Sequence, residues 1–269
     1  MAFDSKNNLT TGSGEVALII PARNEELSLP TVLKRVPAEV SRIVVVDNGS
    51  SDATAAVARA YGAEVVYEPL PGYGSACLAG IAALAGNPPA VVAFADADGS
   101  DGVENLTALL APLLASAADL VLARRVTVAS RALSPQQRFG NWLATRLIRL
   151  IWNHDYQDLG PMRAITWPAL AELRMEDRNF GWTVEMQIRA VKAGLRVMEL
   201  PLPYHVRLAG ESKISRTLSG VVRAGTKILW VIGRELLRLE QKNRHPARGL
   251  RSECSRENYK IYETMPHDS

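Results

Sequence analysis

Cysteine is nearly absent: Cys77 and Cys254 are the only two in 269 residues, and they stand far apart with no ligand spacing around them. That scarcity excludes a disulfide framework and a thiolate zinc site, and fits a reducing compartment. Long apolar runs are also missing. None approaches the ~20 residues that cross a bilayer, and Met1 to Gly14 lacks the apolar stretch of a secretory leader. The expected location is the cytoplasm. Charge of one sign is lacking too. The formal net charge is +3, and residues 241–269 hold six Lys/Arg against four Asp/Glu, leaving 25 against 24 for the body. A near-neutral body lacks the broad basic footprint of a nucleic-acid binder. Of four histidines, His154 and His205 have no ligand partner at a diagnostic spacing, so both read as structural. No P-loop and no G-x-G-x-x-G occurs.

What is present is 47% hydrophobic content, enough for a full core. Apolar, largely β-branched runs lie at Val16–Ile20, Ile43–Val46, Glu64–Tyr67, Ala90–Ala95 and Leu120–Ala123. Helix-like segments separate them near residues 28–36, 53–61, 75–85 and 103–115. Such alternation predicts βαβ units, a mostly parallel sheet and helices on both faces. Ligands on such sheets bind beyond the carboxyl ends of the strands.

The polar clusters sit at those ends. Asp96-Ala97-Asp98 follows the fourth run directly and places two carboxylates where a hard cation could be held. Ser100 and Asp101 could add a ligand, or Asp101 could cap the helix ahead of Val103. Pro21-Ala22-Arg23-Asn24-Glu25-Glu26 follows the first run, and Asp47-Asn48-Gly49-Ser50-Ser51-Asp52 the second. The latter reads as a turn with an N-cap or as a carboxylate accepting hydrogen bonds from a ribose or base edge. Pro69 to Ser75, with Gly72 and Gly74, opens a helix and offers backbone N–H groups to a nucleotide or phosphate.

V-A-L-I-I-P-A-R-N-E-E, V-V-V-D-N-G-S-S-D-A-T, G-Y-G-S-A and F-A-D-A-D, in this order, resemble a family 2 glycosyltransferase of the GT-A fold. Asp158-Leu159-Gly160-Pro161-Met162-Arg163 is similar to that family's D-x-S-G-F-R. Arg207 to Lys213 is similar to the R-x-x-G-x-S-K of its dolichyl- and polyprenyl-phosphate mannosyl- or glucosyltransferase branch. The resemblance covers residues 15 to 235 and implies transfer of a hexose from a nucleotide diphosphate sugar, UDP- or GDP-linked, to a lipid phosphate. It implies Mg²⁺ or Mn²⁺ on Asp96 and Asp98. Pro21, Arg23, Glu25, Asp47 and Gly74 join them on the donor. Arg125, Arg163, Arg207, Ser212 and Lys213 would face the acceptor and diphosphate, although Arg124 replaces the serine usual before Arg125. The catalytic set would be Asp98, Arg125 and Glu185. A phosphate acceptor is already ionised and needs no strong base. Glu185 could therefore be a base for a hydroxyl acceptor, a clamp for the acceptor arginines, or a helix carboxylate. Asp158 is a second carboxylate candidate, or a cap at the chain reversal. A soluble acceptor, a nucleotidyltransferase and a non-catalytic nucleotide-sugar binder stand as alternatives.

Two basic amphipathic stripes are expected to form helices that either pack on the sheet or lie in a headgroup layer. The first runs through Phe139, Leu143, Leu147 and Leu150 or Ile151, with Arg138, Arg146 and Arg149 beside it. The second spans residues 218–239. The expected organisation is a flexible start (1–14), a GT-A catalytic domain (15–215), an amphipathic helix (216–240) and a flexible tail (241–269). A membrane surface enters as a possible partner, and oligomeric state stays open.

Overall fold

The computed structural model describes residues 14–129, 132–209 and 218–244, with backbone alone at 218–224 and 239–244. All five apolar runs form strands: β1 (Val16–Ala22), β2 (Arg42–Asp47), β3 (Glu64–Tyr67), β4 (Val91–Phe94) and β5 (Leu120–Thr127). Two more, β6 (Arg163–Thr166) and β7 (Val197–Tyr204), complete a seven-stranded sheet of order β3-β2-β1-β4-β6-β5-β7. β6 runs antiparallel to β4 and β5, and every other pairing is parallel. These two strands extend the five expected ones. β6 is four residues long and begins at an arginine, and β7 carries two prolines, which confine it to the sheet edge.

Among the described residues the α-helices are α1 (Leu29–Arg35), α2 (Thr54–Ala60), α3 (Tyr73–Leu84), α4 (Leu106–Leu114), α5 (Pro135–Trp152), α6 (Trp167–Leu173), α7 (Trp182–Ala193) and α8 (Leu218–Arg244). Strand alternation sends Leu18 and Ile20 to one face, against Leu29 and Val32 of α1 and Leu106 and Leu110 of α4. Ile19 and Phe94 point to the other, against Ile81 of α3, Trp182 of α7 and Val231 of α8. The start of α5 is set by its sequence. Ser134 Oγ accepts the Gln137 N–H at 3.2 Å while Gln137 Oε1 accepts the Ser134 N–H at 2.8 Å, and Pro135 takes the first turn. The second stripe forms α8, which packs on α5 and α7 and buries Val231, Ile232 and Glu235.

This topology positions the site. β1 has β2 on one side and β4 on the other, so the chain's direction of winding switches between β1 and β4. A crevice opens at such a switch point beyond the strand ends. The loops after β1, β2 and β4 line it.

Candidate active site

The loops after β1 and β2 are stitched together. Asn24, at φ 52°, accepts the Ser51 N–H on its side-chain oxygen at 2.8 Å and donates its own N–H to Ser50 Oγ at 2.9 Å. Asn tolerates this left-handed backbone better than most residues. The Glu25 N–H is held by Thr54 Oγ1 at 2.8 Å, and Asp47 Oδ1 accepts the Ser50 N–H at 2.9 Å. Pro21 is half-buried beside them and Arg23 is exposed at the rim.

After β4 the chain turns tightly, and Asp98, Ser100 and Asp101 are all buried. Asp98 Oδ1 accepts both the Ser100 N–H at 2.8 Å and the Ser100 hydroxyl at 2.6 Å. Asp101 Oδ2 accepts the Asp96 N–H at 2.9 Å. Asp101 therefore folds back on the loop instead of capping the helix ahead; Gly102, at φ 63°, occupies the cap position. Burial, then Asp101 and Asp98, push the Asp96 carboxyl well above the usual carboxylate range. Burial and Asp98 push Asp101 up to about 7. Asp96 and Asp101, both with raised proton affinity, crowd against Asp98, and a divalent cation relieves such crowding. Among the described residues no three side chains already converge as a complete ligand set. Asp96 and Asp98 offer oxygen donors only, the donor type a hard divalent cation takes.

Arg207 closes the crevice from the far edge. Its guanidinium contacts Glu25 Oε1 at 2.6 Å and Asp98 Oδ2 at 3.0 Å, joining the first and fourth loops. The backbone after β7 is fastened to the same turn, with the His205 N–H on the Ser100 carbonyl at 2.8 Å and the Leu208 N–H on that of Asp98 at 3.0 Å. Ser212 and Lys213 lie outside the described residues.

The other arginines divide sharply. Arg125 and Asp158 form a buried two-pronged pair, Nε to Oδ2 at 2.8 Å and Nη2 to Oδ1 at 2.7 Å, and the Arg125 N–H adds a third bond at 2.9 Å. Asp158 is thus the partner of Arg125 and not a helix cap. Burial alone would lower the Arg125 pKa, but the Asp158 hydrogen bonds and charge outweigh it and keep the guanidinium cationic. Its ring neighbour is Tyr204, 5.3 Å away. Arg125 is close enough to Asp96 and Asp101 to lower their proton affinity. It also lines a cavity of about 400 Å³ between α5, α7 and α8, walled by Phe139, Leu143, Leu159, Val184 and Ile228. Arg163 is different: fully buried, it donates to the carbonyls of Gly160, Pro161 and Thr183 and lies over the Trp182 ring at 5.7 Å. Its guanidinium braces the loop before β6 and faces backbone, not an open acceptor site.

Glu185 is fully buried on α7 and accepts the N–H groups of Glu176 at 3.0 Å and Asp177 at 2.8 Å. It pairs with Arg189 at 3.0 Å and with Arg234 of α8. Glu185 thus holds Arg189 of α7 and Arg234 of α8, neither of which belongs to the expected acceptor set.

Gly74 also differs from expectation. The Arg178 carbonyl accepts the Ser75 N–H at 2.9 Å, so the backbone of residues 177–178 covers the start of α3. A Cβ on Gly74 would sit 1.9 Å from the Asp177 carbonyl oxygen, and one on Gly72 2.1 Å from that of Arg178. The glycines admit a crossing chain where the sequence pattern pointed to a phosphate. Asn48 shapes this loop, donating to the Glu68 and Leu70 carbonyls at 2.9 and 2.7 Å and accepting the Gly72 N–H at 2.8 Å. Sequence reasoning missed Asn48, Asp177, Arg234 and Glu235. Only Glu185 and Arg189, spaced one helical turn apart, carried a signal of the network that α7 and α8 share.

A family model described as Glycosyl transferase family 2 matches residues 17–165. An uncharacterised glycosyltransferase of Mycobacterium tuberculosis is 43% identical over 209 residues, 78% of this chain and 94% of that protein. A dolichyl-phosphate hexose transferase of Haloferax volcanii is 32% identical over 232 residues, 84% of this chain and 97% of that protein. Among solved structures, glucosyl-3-phosphoglycerate synthase from M. tuberculosis, crystallised with Mn²⁺, UDP-glucose and phosphoglyceric acid, superposes with a TM-score of 0.66. It is 22% identical, over 83% of this chain and 80% of that one. The strand order, the paired carboxylates after β4 and these likenesses agree: the chain has the GT-A fold and belongs to glycosyl transferase family 2.

Proposed function

We propose that this glycosyltransferase moves a hexose from a nucleoside diphosphate sugar to the phosphate of a polyprenyl lipid, with inversion, in the presence of Mg²⁺ or Mn²⁺. The observation that carries this reading is the position of Arg125, within electrostatic reach of Asp96 and Asp101 and also in the wall of the apolar cavity. An acceptor with an anionic head and an apolar tail matches both surroundings. Arg125 would hold the head by a charge-assisted contact, and Phe139, Leu143 and Ile228 would receive the first prenyl units. Glu185 and Asp158 are both engaged with arginines, which favours an acceptor that arrives already ionised. On the donor side, Pro21, Arg23, Glu25 and Asp47 would line the base and ribose, and Asp96 and Asp98 would hold the cation that offsets charge on the departing nucleoside diphosphate. The dolichyl-phosphate hexose transferase is one relative in keeping with this acceptor.

No helix is long and apolar enough to cross a membrane among the described residues. Access to the lipid would come through the outer faces of α5 and α8, where Trp142 (58%), Trp230 (53%) and Leu237 (61%) are exposed. The test is incubation with a panel of nucleotide sugars, Mg²⁺ or Mn²⁺ and a short polyprenyl phosphate, read by mass spectrometry. The expected product is a sugar-phospholipid with release of a nucleoside diphosphate, lost in Asp98→Ala. Donor hydrolysis without a lipid product would overturn the acceptor and point to a soluble one; release of pyrophosphate would indicate nucleotidyl transfer instead.

A further inference from the structure

We propose that Arg207 occupies the cation's place on Asp98 until a nucleoside diphosphate arrives, so that divalent metal and nucleotide can bind well only together. The inference rests on the metal-dependent reading above. Both carboxylate oxygens of Asp98 are engaged in the structure. Its Oδ1 takes both the N–H and the hydroxyl of Ser100, at 2.8 and 2.6 Å, and its Oδ2 takes Arg207 at 3.0 Å. A divalent ion approaching Asp98 therefore competes with a guanidinium for Oδ2 and meets its positive charge at contact range.

Glu25 makes the arrangement more than a chance pair. Arg207 spans Glu25 Oε1 at 2.6 Å and Asp98 Oδ2 at 3.0 Å, with Glu25 in turn fixed by the Ser28 hydroxyl at 2.7 Å. The guanidinium fork matches two carboxylates set on separate loops, an arrangement an ammonium reproduces poorly. Neither carboxylate is open: both side chains are 10% exposed, and Arg207 is 25% exposed. The backbone on both sides of Arg207 is tied to the same turn, through the His205 N–H on Ser100 and the Leu208 N–H on Asp98. Arg207 is thus held near Asp98, and a second anion close by would draw it off Oδ2. A diphosphate is such an anion. It would give Arg207 a new partner while completing the metal's oxygen shell, so each ligand would relieve the cost of binding the other. Reciprocal coupling of this kind ordinarily amounts to about 5–150-fold in affinity.

The test uses the full chain and Mn²⁺ itself, with free ion counted by electron paramagnetic resonance, in the absence and presence of UDP or GDP and with no acceptor. Wild type should bind Mn²⁺ weakly alone and at least about fivefold more tightly with the matching nucleotide. Arg207→Gln should bind Mn²⁺ alone several-fold more tightly than wild type and lose most of the nucleotide's effect. Arg207→Lys keeps the charge without the fork and should lie between the two. It also decides the matter if the Gln variant fails to fold by circular dichroism. Unchanged or weaker binding of Mn²⁺ alone in the variant, with nucleotide-dependent metal uptake intact, would overturn the role of Arg207 and leave the metal-dependent reading standing. Failure of wild type to take up Mn²⁺ with either nucleotide would overturn both.

Discussion

Removing Asp158 should unlock Arg125 and destabilise the whole domain. The pair is buried, with side-chain exposures of 13% and 7%, and three hydrogen bonds run from Arg125 to one carboxylate. Breaking a buried pair from one side strands the remaining charge and costs about 3–5 kcal/mol. Asp158→Ala should fall in that range, and Asp158→Asn at about half of it, since the amide oxygen still accepts. At about 2–4 °C per kcal/mol for a protein near this size, the alanine variant should melt roughly 6–20 °C lower. Thermal melts by circular dichroism at neutral pH give the shift, and a cycle with Arg125→Met isolates the pair. The double variant should recover part of the loss, because it no longer buries an unpaired guanidinium, giving a coupling of at least about 1.5 kcal/mol. Additivity within about 0.5 kcal/mol would refute the reasoning, since residues that do not interact behave that way.

Gly74→Ala puts a methyl group 1.9 Å from the Asp177 carbonyl oxygen, where only backbone can yield. A loss of about 3 kcal/mol, the upper part of the overpacking range, is expected in urea unfolding; Gly86→Ala, with open space around it, serves as the control and should change little. Glu185→Gln removes the negative charge that faces Arg189 and Arg234. It should lower stability by about 3 kcal/mol, yet leave transfer per folded molecule near wild type. Abolished transfer in a folded Glu185→Gln protein with intact donor binding would instead make Glu185 a base.

Most of what could be read in advance is the part whose strands are buried; β3, exposed or half-exposed at the sheet edge, was read from its β-branched residues. β1, β2 and β4 are continuous apolar runs with polar residues at their carboxyl ends, so both the strands and the crevice-lining loops stood out. β6 and β7 did not, because one is four residues long and the other alternates proline with half-exposed positions along an edge. At the site, the places of Asp96 and Asp98 beyond the end of β4 were legible from position, whereas Glu25 entered only through the family resemblance. The fates of Arg125, Arg163 and Arg207 were not. Three arginines in comparable motifs ended on a carboxylate, on backbone carbonyls and across two loops, and only the tertiary partners distinguish them. Gly72 and Gly74 suited a phosphate-binding turn and a chain crossing equally well, and Arg178, a hundred residues on, decided between them.

That crossing bears on how such enzymes could be recombined. The family match stops at residue 165, which invites treating the rest of the chain as an exchangeable acceptor module. The backbone of residues 177–178, however, rests on Gly72 and Gly74, and Arg207 reaches Glu25 and Asp98. A chimera that grafts the second half of a relative onto this first half inherits two seams at once, one steric and one ionic. Unless the glycines at the head of α3 and the Glu25 side chain travel with the graft, the hybrid would lose its fit where the two halves meet around Asp98.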